Sequence, residues 1–436
     1  MKLLRRFSRP LLFCLIPLVK AYTVFETTCS APAAPANYVS SPNTRGTLDI
    51  IWSSLFTIIA CTWTLQHPNI PEQRNGRDKG HLGDAKWALR AFYRGAARMA
   101  CTVIAPELII GAAFGDLLAA RQSREEMKGY AEEDGVTWSL IHGYYANMGG
   151  FIIRSKPGGG GGGGGGKAYH DPYHVDAYAI YRLRLRNHLP RLPDVSVDEI
   201  QDMSKGDALV KTIAVGQILW TVLQVIARAA RGLPVSPLEI AVVAFAACAV
   251  IIYGLYWSKP QRACATRTIL EYAEEIPAEV LETLAETHYK AYILKQFFMI
   301  PNESHLPGSP VGTNSDNTRD VRGTVSLFFS GIIGAATFGG IHVTAWNFAF
   351  PSTVDAIFWR CASVYSAAFP LCFLLCFVLA ALIEFSDDIL AILILLFNCL
   401  YVVARLIILV EIVRTLFYLP PGSFVSTWTT NIPHIA

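Results

Sequence analysis

The sequence is poor in charged residues. Only 16% of its 436 residues are Asp, Glu, Lys or Arg, whereas a typical soluble domain contains about 25%. Hydrophobic residues make up 52%, which excludes a disordered chain, because disorder requires low hydrophobicity and high charge. The same composition argues against an ordinary soluble enzyme of this size.

Several functional signatures are absent as well. The sequence contains no zinc-finger spacing, no P-loop and no nucleophile elbow. Its net charge of +3 is too small to predict a nucleic-acid-binding surface. His170, His174 and Asp176 lie close together, but Pro172 interrupts their helical spacing and favours a polar loop over a metal site. We therefore predict no metal, no cofactor and no nucleic-acid partner.

The few charges are unevenly distributed along the chain. Residues 324–383 contain two and residues 208–257 contain four. A helix of about 20 apolar residues can cross a bilayer, because its backbone groups are all hydrogen-bonded internally. We predict an all-α membrane protein, a helical bundle of about seven transmembrane spans with large lumenal loops. The predicted spans are 48–65, 99–119, 209–229, 238–257, 324–346, 357–383 and 389–417.

The N-terminus has the pattern of a secretory signal peptide over residues 1–21. Basic residues are followed by a short apolar stretch, Leu11–Val19, and by Ala21. Cleavage after Ala21 is expected, with an uncleaved anchor as the alternative. The first span would then enter the cytosol, and the loop that follows contains seven basic residues between positions 74 and 98. This agrees with the excess of positive charge in cytoplasmic loops.

Alternating crossings divide the chain further. The first predicted parts are a lumenal segment 22–47 and two spans with the basic cytosolic loop over 48–119. They are followed by a lumenal loop 120–207 with a polyglycine insertion at 158–166, a transmembrane hairpin 208–257 and a lumenal loop 258–323 with an amphipathic helix at 278–299. The last predicted parts are three spans over 324–418 and a cytosolic tail 419–436. A re-entrant segment at 138–153 is an open alternative. Asn302 lies in the predicted lumenal sequon Asn-Glu-Ser. Cys29 and Cys264 are the mature lumenal cysteines and can form a disulfide there.

Polar side chains inside predicted spans are candidates for function, because such groups are costly in hydrocarbon. Three interpretations remain open: a structural network between helices, a site for a small molecule or a proton, and an acid/base set with Glu107 or His342 as base and an arginine as anion holder. The candidates are Glu107, Gln217, Gln224, Arg228, His342, Asn347 and Arg405.

Four blocks of the sequence resemble a fungal family of polytopic integral membrane proteins of unassigned function. They are RGTLDIIWSSLFTIIACTWTLQHPNIP at 45–71, WSLIHGYYANMGGF at 138–151, a block over 199–224, and a block over 339–360 that begins GGIHVTAWNFAFP. The resemblance implies a multi-pass membrane protein and no particular chemistry. The polyglycine tract does not belong to the family pattern.

The function is therefore predicted only in outline. We expect a multi-pass protein of a secretory-pathway membrane or the plasma membrane that binds a small molecule within the bundle. A transporter or channel for a small solute is one alternative, and an intramembrane enzyme of specialised metabolism is another. The predicted partners are the lipid bilayer and a small-molecule ligand.

Overall fold

The computed structural model describes residues 44–71, 73–74, 78–155, 172–204, 208–274, 276–286, 331–383 and 387–427. Within these ranges the chain is predominantly helical, as predicted, but it also contains a small sheet. The helices are α1 (Thr47–Thr64), α2 (His81–Ile104), α3 (Pro106–Asp134), α4 (Leu140–Asn147), α5 (Ala177–Leu185), α6 (Val197–Asp202), α7 (Ala208–Ala230), α8 (Pro237–Leu255), α9 (Ala278–Glu286), α10 (Gly331–Val343), α11 (Thr353–Ile383) and α12 (Asp387–Thr415), and the strands are β1 (Phe151–Ser155), β2 (Tyr173–Val175) and β3 (Arg267–Tyr272).

Among the described residues, four helices are long and apolar enough to cross a membrane. They lie in α1, α7, α8 and α12, and they match four of the predicted spans. The count rises to five if α2 and α3 are taken together as one broken span. α10 is a shorter apolar helix, and residues 361–383 of α11 contain no charged side chain. Several spans are thus supported, while a total of seven stays a prediction.

The predicted span 99–119 is not a continuous helix. α2 ends at Ile104, α3 begins at Pro106, and the two axes are bent by 109°. The residue before a proline is disfavoured in the helical conformation, and Ala105 adopts φ −143° and ψ 71°. Hydropathy alone does not register such a break. We call α2 and α3 the bent pair, and Ile104–Glu107 its apex.

The predicted loops 120–207 and 258–323 contain a folded lobe. Its sheet has the order β2–β1–β3, with β1 antiparallel to β2 and parallel to β3. Trp138, Tyr145, Phe151 and Leu183 belong to its apolar core. The 138–153 segment forms α4 and β1 inside this lobe, which explains its apolar character without membrane insertion. α9, the described part of the amphipathic helix, packs Val280 and Leu284 into the same core.

The bundle has two distinguishable ends. At the lobe end, the Ile70 N–H donates to the Met148 carbonyl (2.9 Å) and Gln261 Nε2 donates to the Thr64 carbonyl (2.6 Å). At the opposite end, here the distal end, Arg45 forms an ion pair with Glu239 (2.7 Å). Residues 44–47, 228–239 and 411–425 lie at the distal end.

These contacts bring together segments that the predicted topology places on opposite sides of a membrane. The prediction separated the basic loop 66–98 from the loops 120–207 and 258–323 by a membrane. The structure joins them at one end, because the bent pair returns to the lobe instead of crossing the bundle. The predicted orientation of everything after residue 99 depended on that crossing.

Several predictions fall outside the described residues. These are the signal peptide 1–21, most of the segment 22–47, Cys29, the polyglycine tract, residues 287–299 of the amphipathic helix, Asn302 and residues 428–436. Cys264 is described, but its predicted partner Cys29 is not, so the disulfide stays a prediction. The Cys264 Sγ lies 3.4 Å from the Arg262 carbonyl oxygen.

Candidate functional site

Three of the predicted polar residues meet inside the bundle. Glu107 at the start of α3, His342 in α10 and Arg405 in α12 are all buried around the apex of the bent pair. The other four lie elsewhere. Gln217 bonds to Thr57 on α1 (3.3 Å). Gln224 is half-buried on α7, Arg228 lies at the distal end and Asn347 is exposed.

Glu107 occupies the first turn of α3. A carboxylate is favoured there, since the N-terminus of a helix carries partial positive charge. The Tyr401 hydroxyl donates to Glu107 Oε1. The second oxygen, Oε2, lies 3.8 Å from Nη2 of Arg405, which is ion-pair distance but longer than a hydrogen bond. The carboxylate is therefore bound on one side and only electrostatically balanced on the other.

Arg405 connects the two arms of the bent pair. Its Nε donates to the Ile104 carbonyl at 2.6 Å, which satisfies a carbonyl that the ending helix leaves without an internal partner. The same guanidinium faces the Glu107 carboxylate on the other arm. Its Cζ lies 3.7 Å from the centroid of the Phe338 ring, so a cation–π contact also contributes. One side chain of α12 thus contacts the last turn of α2 and the first turn of α3.

His342 lies one helical turn beyond Phe338. Its Nδ1 donates to the Phe338 carbonyl (2.8 Å), and its Nε2 is the ring nitrogen that remains for another contact. The imidazole stacks on the Phe338 ring at 4.4 Å, and the Trp359 indole lies 5.6 Å away. Trp359 Nε1 donates to the His342 carbonyl (3.1 Å). The Phe338 ring is therefore a common contact of His342 and Arg405.

Within the described part of the chain, three buried polar atoms of this cluster have no hydrogen-bond partner. They are Glu107 Oε2, His342 Nε2 and Arg405 Nη2. Buried polar groups are normally satisfied, so each unsatisfied atom indicates a water, a ligand or a functional state. Close helix packing holds them in place, since a Cβ added at Gly334 would lie 2.8 Å from the Glu107 Cβ.

Sequence reasoning missed the aromatic members of this cluster. Tyr401 lies one helical turn before Arg405, and Phe338 one turn before His342. Each pair thus has the i, i+4 spacing that brings side chains together on a helix. That spacing was available in the sequence and could have identified them.

A small cleft opens beside the bent pair at the lobe end. Its volume is about 40 Å³, enough for roughly three waters at 10–15 Å³ each. It lies between the end of α1, both arms of the bent pair and the end of α8. The lining residues are Leu65, Gln66, His67, Pro68, Asn69, Arg98, Thr102, Ile109, Asp116, Tyr256 and Lys259.

The cleft has a positive balance of charge. Lys259 Nζ contacts Asp116 Oδ2 at 2.6 Å, and the Tyr256 hydroxyl donates to the same oxygen at 2.9 Å. Arg98 on the other wall contacts Gln66 Oε1 at 3.5 Å. Arg94 and Arg262 lie within electrostatic reach of Arg98. Two cations and one carboxylate thus line the cleft, and further arginines surround it.

Arg228 has a structural role at the distal end. Its guanidinium donates to the carbonyls of Pro234 (2.8 Å), Gly422 (2.9 Å), Ser423 (3.1 Å) and Val425 (2.7 Å). These bonds hold the chain after α12 against the α7–α8 connection. We therefore separate Arg228 from the candidate site.

Two further findings concern metal binding and the family to which the chain belongs. The described residues contain no group of three or more His, Cys, Asp or Glu side chains arranged to hold a metal ion. A family of unknown function (DUF8562) matches residues 18–284, more than half of the 436 residues. The chain belongs to this family. No curated protein and no solved structure matches it.

Proposed function

We propose that this member of the family is a multi-pass membrane protein that binds the anionic group of a small solute in the cleft of the bent pair. The observation that carries the proposal is the cleft itself, in which Arg98 and Lys259 face Asp116 alone. A volume of about 40 Å³ suits a carboxylate or phosphate group whose remainder extends out of the opening. The surrounding Arg94 and Arg262 favour an anion further.

Binding of inorganic phosphate and acetate to the purified protein in nanodiscs tests this proposal by calorimetry, with glycerol as the neutral control. Arg98→Gln should weaken anion binding at least tenfold, because a hydrogen bond to a charged group contributes about 1.5–3 kcal/mol. Asp116→Asn should strengthen it, since that change removes the competing carboxylate from Lys259. Arg124→Gln is the matched control, because Arg124 is exposed on α3 and paired with Glu125. Weaker binding in the Asp116 variant would contradict an anion site.

A transporter is the second candidate, and the broken helix favours it. Solute carriers commonly bind near the membrane midplane where discontinuous helices expose their ends. Here two helix ends meet at the apex beside the buried pair Glu107–Arg405. The test is flux of the bound anion into proteoliposomes. Binding of the anion without flux would favour a binding protein over a transporter. Loss of flux in Glu107→Gln, with anion binding in the cleft unchanged, would support transport.

A further inference from the structure

α2 has one fully apolar side that no described part of the protein covers. Leu82 is 90% exposed, Leu89 68%, Phe92 62% and Tyr93 69%. At 100° per residue these four side chains lie within one sector of about 100°. An uncovered apolar surface of this kind marks an interaction site.

A basic stripe of α2 borders this apolar side. Lys86, Arg90, Arg94 and Arg98 follow one another at four-residue intervals. Lys86 forms an ion pair with Asp78 (2.9 Å), and the Arg90 guanidinium lies 5.8 Å from the Trp87 ring. A helix with a charged, Lys/Arg-rich face and an apolar face of Leu and aromatic residues is the type that lies in the membrane interface.

The position of α2 in the bundle identifies what covers it. Gln66 Nε2 donates to the Gly95 carbonyl (3.1 Å), and a Cβ at Gly95 would lie 3.2 Å from the Trp63 ring. The C-terminal half of α2 is therefore attached to the lobe end of α1, a helix long and apolar enough to cross the membrane. The bend of 109° turns α2 away from α3, so the helix runs obliquely at the level where the spanning helix ends.

We propose that α2 lies in the headgroup layer of the membrane at the lobe end and binds anionic phospholipid there. The apolar side enters the acyl boundary, and the basic side attracts the negative surface. Continuity with α1 and charge complementarity support this position, which is independent of the solute proposed for the cleft.

The proposal also fixes an orientation. Anionic lipid is concentrated in the cytoplasmic leaflet, and basic residues near spans favour the cytoplasmic side. The lobe would then face the cytosol, and the distal end would face the lumen or the exterior. This keeps the predicted cytosolic position of loop 66–98 and reverses the predicted position of loops 120–207 and 258–323.

Adjacent cysteine variants test the membrane contact. Leu89→Cys and Arg90→Cys are placed separately in the full-length protein, reconstituted in nanodiscs of phosphatidylcholine with phosphatidylserine. Both positions are exposed among the described residues, so a covering layer is needed to make their labelling rates differ. A membrane-impermeant maleimide should label position 90 roughly tenfold or more faster than position 89, read by mass spectrometry of the peptide. Equal rates would overturn the proposal.

A photo-crosslinking residue in place of Leu89 identifies the covering molecule. Adducts with phospholipid are expected. Crosslinks to residues 287–330 or to a second copy would instead overturn the proposal. Adducts with phosphatidylserine should exceed those with phosphatidylcholine, and Lys86→Gln should reduce the excess roughly fivefold. Equal yields from the two lipids would overturn the assignment of an anionic headgroup.

Discussion

Removal of Arg405 should destabilise the protein far more than removal of Arg405 and Glu107 together. Arg405→Met leaves the Glu107 carboxylate buried without its cation and the Ile104 carbonyl without its donor. Breaking a buried ion pair from one side costs about 3–5 kcal/mol. An unsatisfied buried carbonyl costs about 1–3 kcal/mol more. In a membrane the unfolded chain also finds partners, so we expect a net loss of about 3 kcal/mol.

The double variant Glu107→Gln/Arg405→Met should recover about half of that loss. It removes both charges, and replacing a buried pair with neutral or apolar groups is often close to neutral. The amide oxygen that the double variant introduces at position 107 can still accept the Tyr401 hydroxyl. The unsatisfied Ile104 carbonyl remains, so we expect about 1–2 kcal/mol below the starting protein and a coupling of at least about 1–2 kcal/mol.

Reversible unfolding in mixed micelles by added dodecyl sulfate measures these differences. Arg124→Met is the control, because this exposed arginine on α3 should change the free energy of unfolding by less than about 0.5 kcal/mol. Strict additivity of the two single variants, or a stable Arg405→Met protein, would refute the ion pair as the link between α12 and the bent pair.

Four further predictions test separate features. Gly339→Ala should destabilise the fold by about 1–3 kcal/mol, because the added Cβ would lie 2.4 Å from the Ala367 nitrogen. Gly340→Ala is the control: its Cβ would meet nothing within 4 Å, so it should be neutral or stabilising in the same unfolding assay. Arg228→Gln should expose the chain after α12 to limited proteolysis without loss of anion binding, since it removes donors to the segment 422–425. Burial lowers the pKa of His142, although the hydrogen bond to the Val195 carbonyl opposes this shift. The unfolded state therefore binds more protons below about pH 6.5, and the lobe should lose stability as the pH falls through that range. His142→Gln should flatten this dependence of stability on pH, and an unchanged slope would contradict the prediction. Asn302 should carry no glycan if the lobe is cytosolic, and an endoglycosidase-sensitive form that disappears in Asn302→Gln would restore the original orientation.

The sequence predicts the bounds of two long apolar helices well. The predicted spans 48–65 and 238–257 correspond to α1 and α8 within two residues at each end. Their apolar runs are long and have clear ends, and the start of α8 has the capping sequence from Ser236 to Glu239. Local composition carries this information, so no tertiary context is needed.

The lobe could not be predicted in the same way. β1 pairs with β3 through residues more than a hundred positions apart, such as Phe151 and Arg267. Short strands have weak local signals, and pairing over that separation depends on the whole fold. The many polar residues on the surface of the lobe make its sequence resemble that of a loop, although Phe151 and Tyr145 are fully buried.

The candidate site was predicted by residue but not by arrangement. Glu107, His342 and Arg405 are identified as ionisable side chains in apolar segments, because such groups are costly to remove from water. The same criterion selected Arg228, whose guanidinium satisfies backbone carbonyls at the distal end. Helix packing determines whether a buried arginine pairs with a carboxylate or donates to backbone carbonyls. The spacing of residues in the sequence does not determine this.

The break before Pro106 connects the buried cluster around Glu107 with the cleft. A helix that stops within a bundle exposes carbonyls on one side and N–H groups on the other, and both are costly away from water. Arg405 serves the carbonyl of Ile104, while Glu107 adds negative charge at the new N-terminus. Because the same guanidinium contacts both arms, a shift of α12 must disturb both helix ends together. The walls of the cleft belong to these arms, through Arg98 and Thr102 on α2 and Asp116 on α3. Solute binding in the cleft and the position of α12 should therefore be coupled, and anion affinity should change in Arg405→Met although Arg405 does not line the cleft.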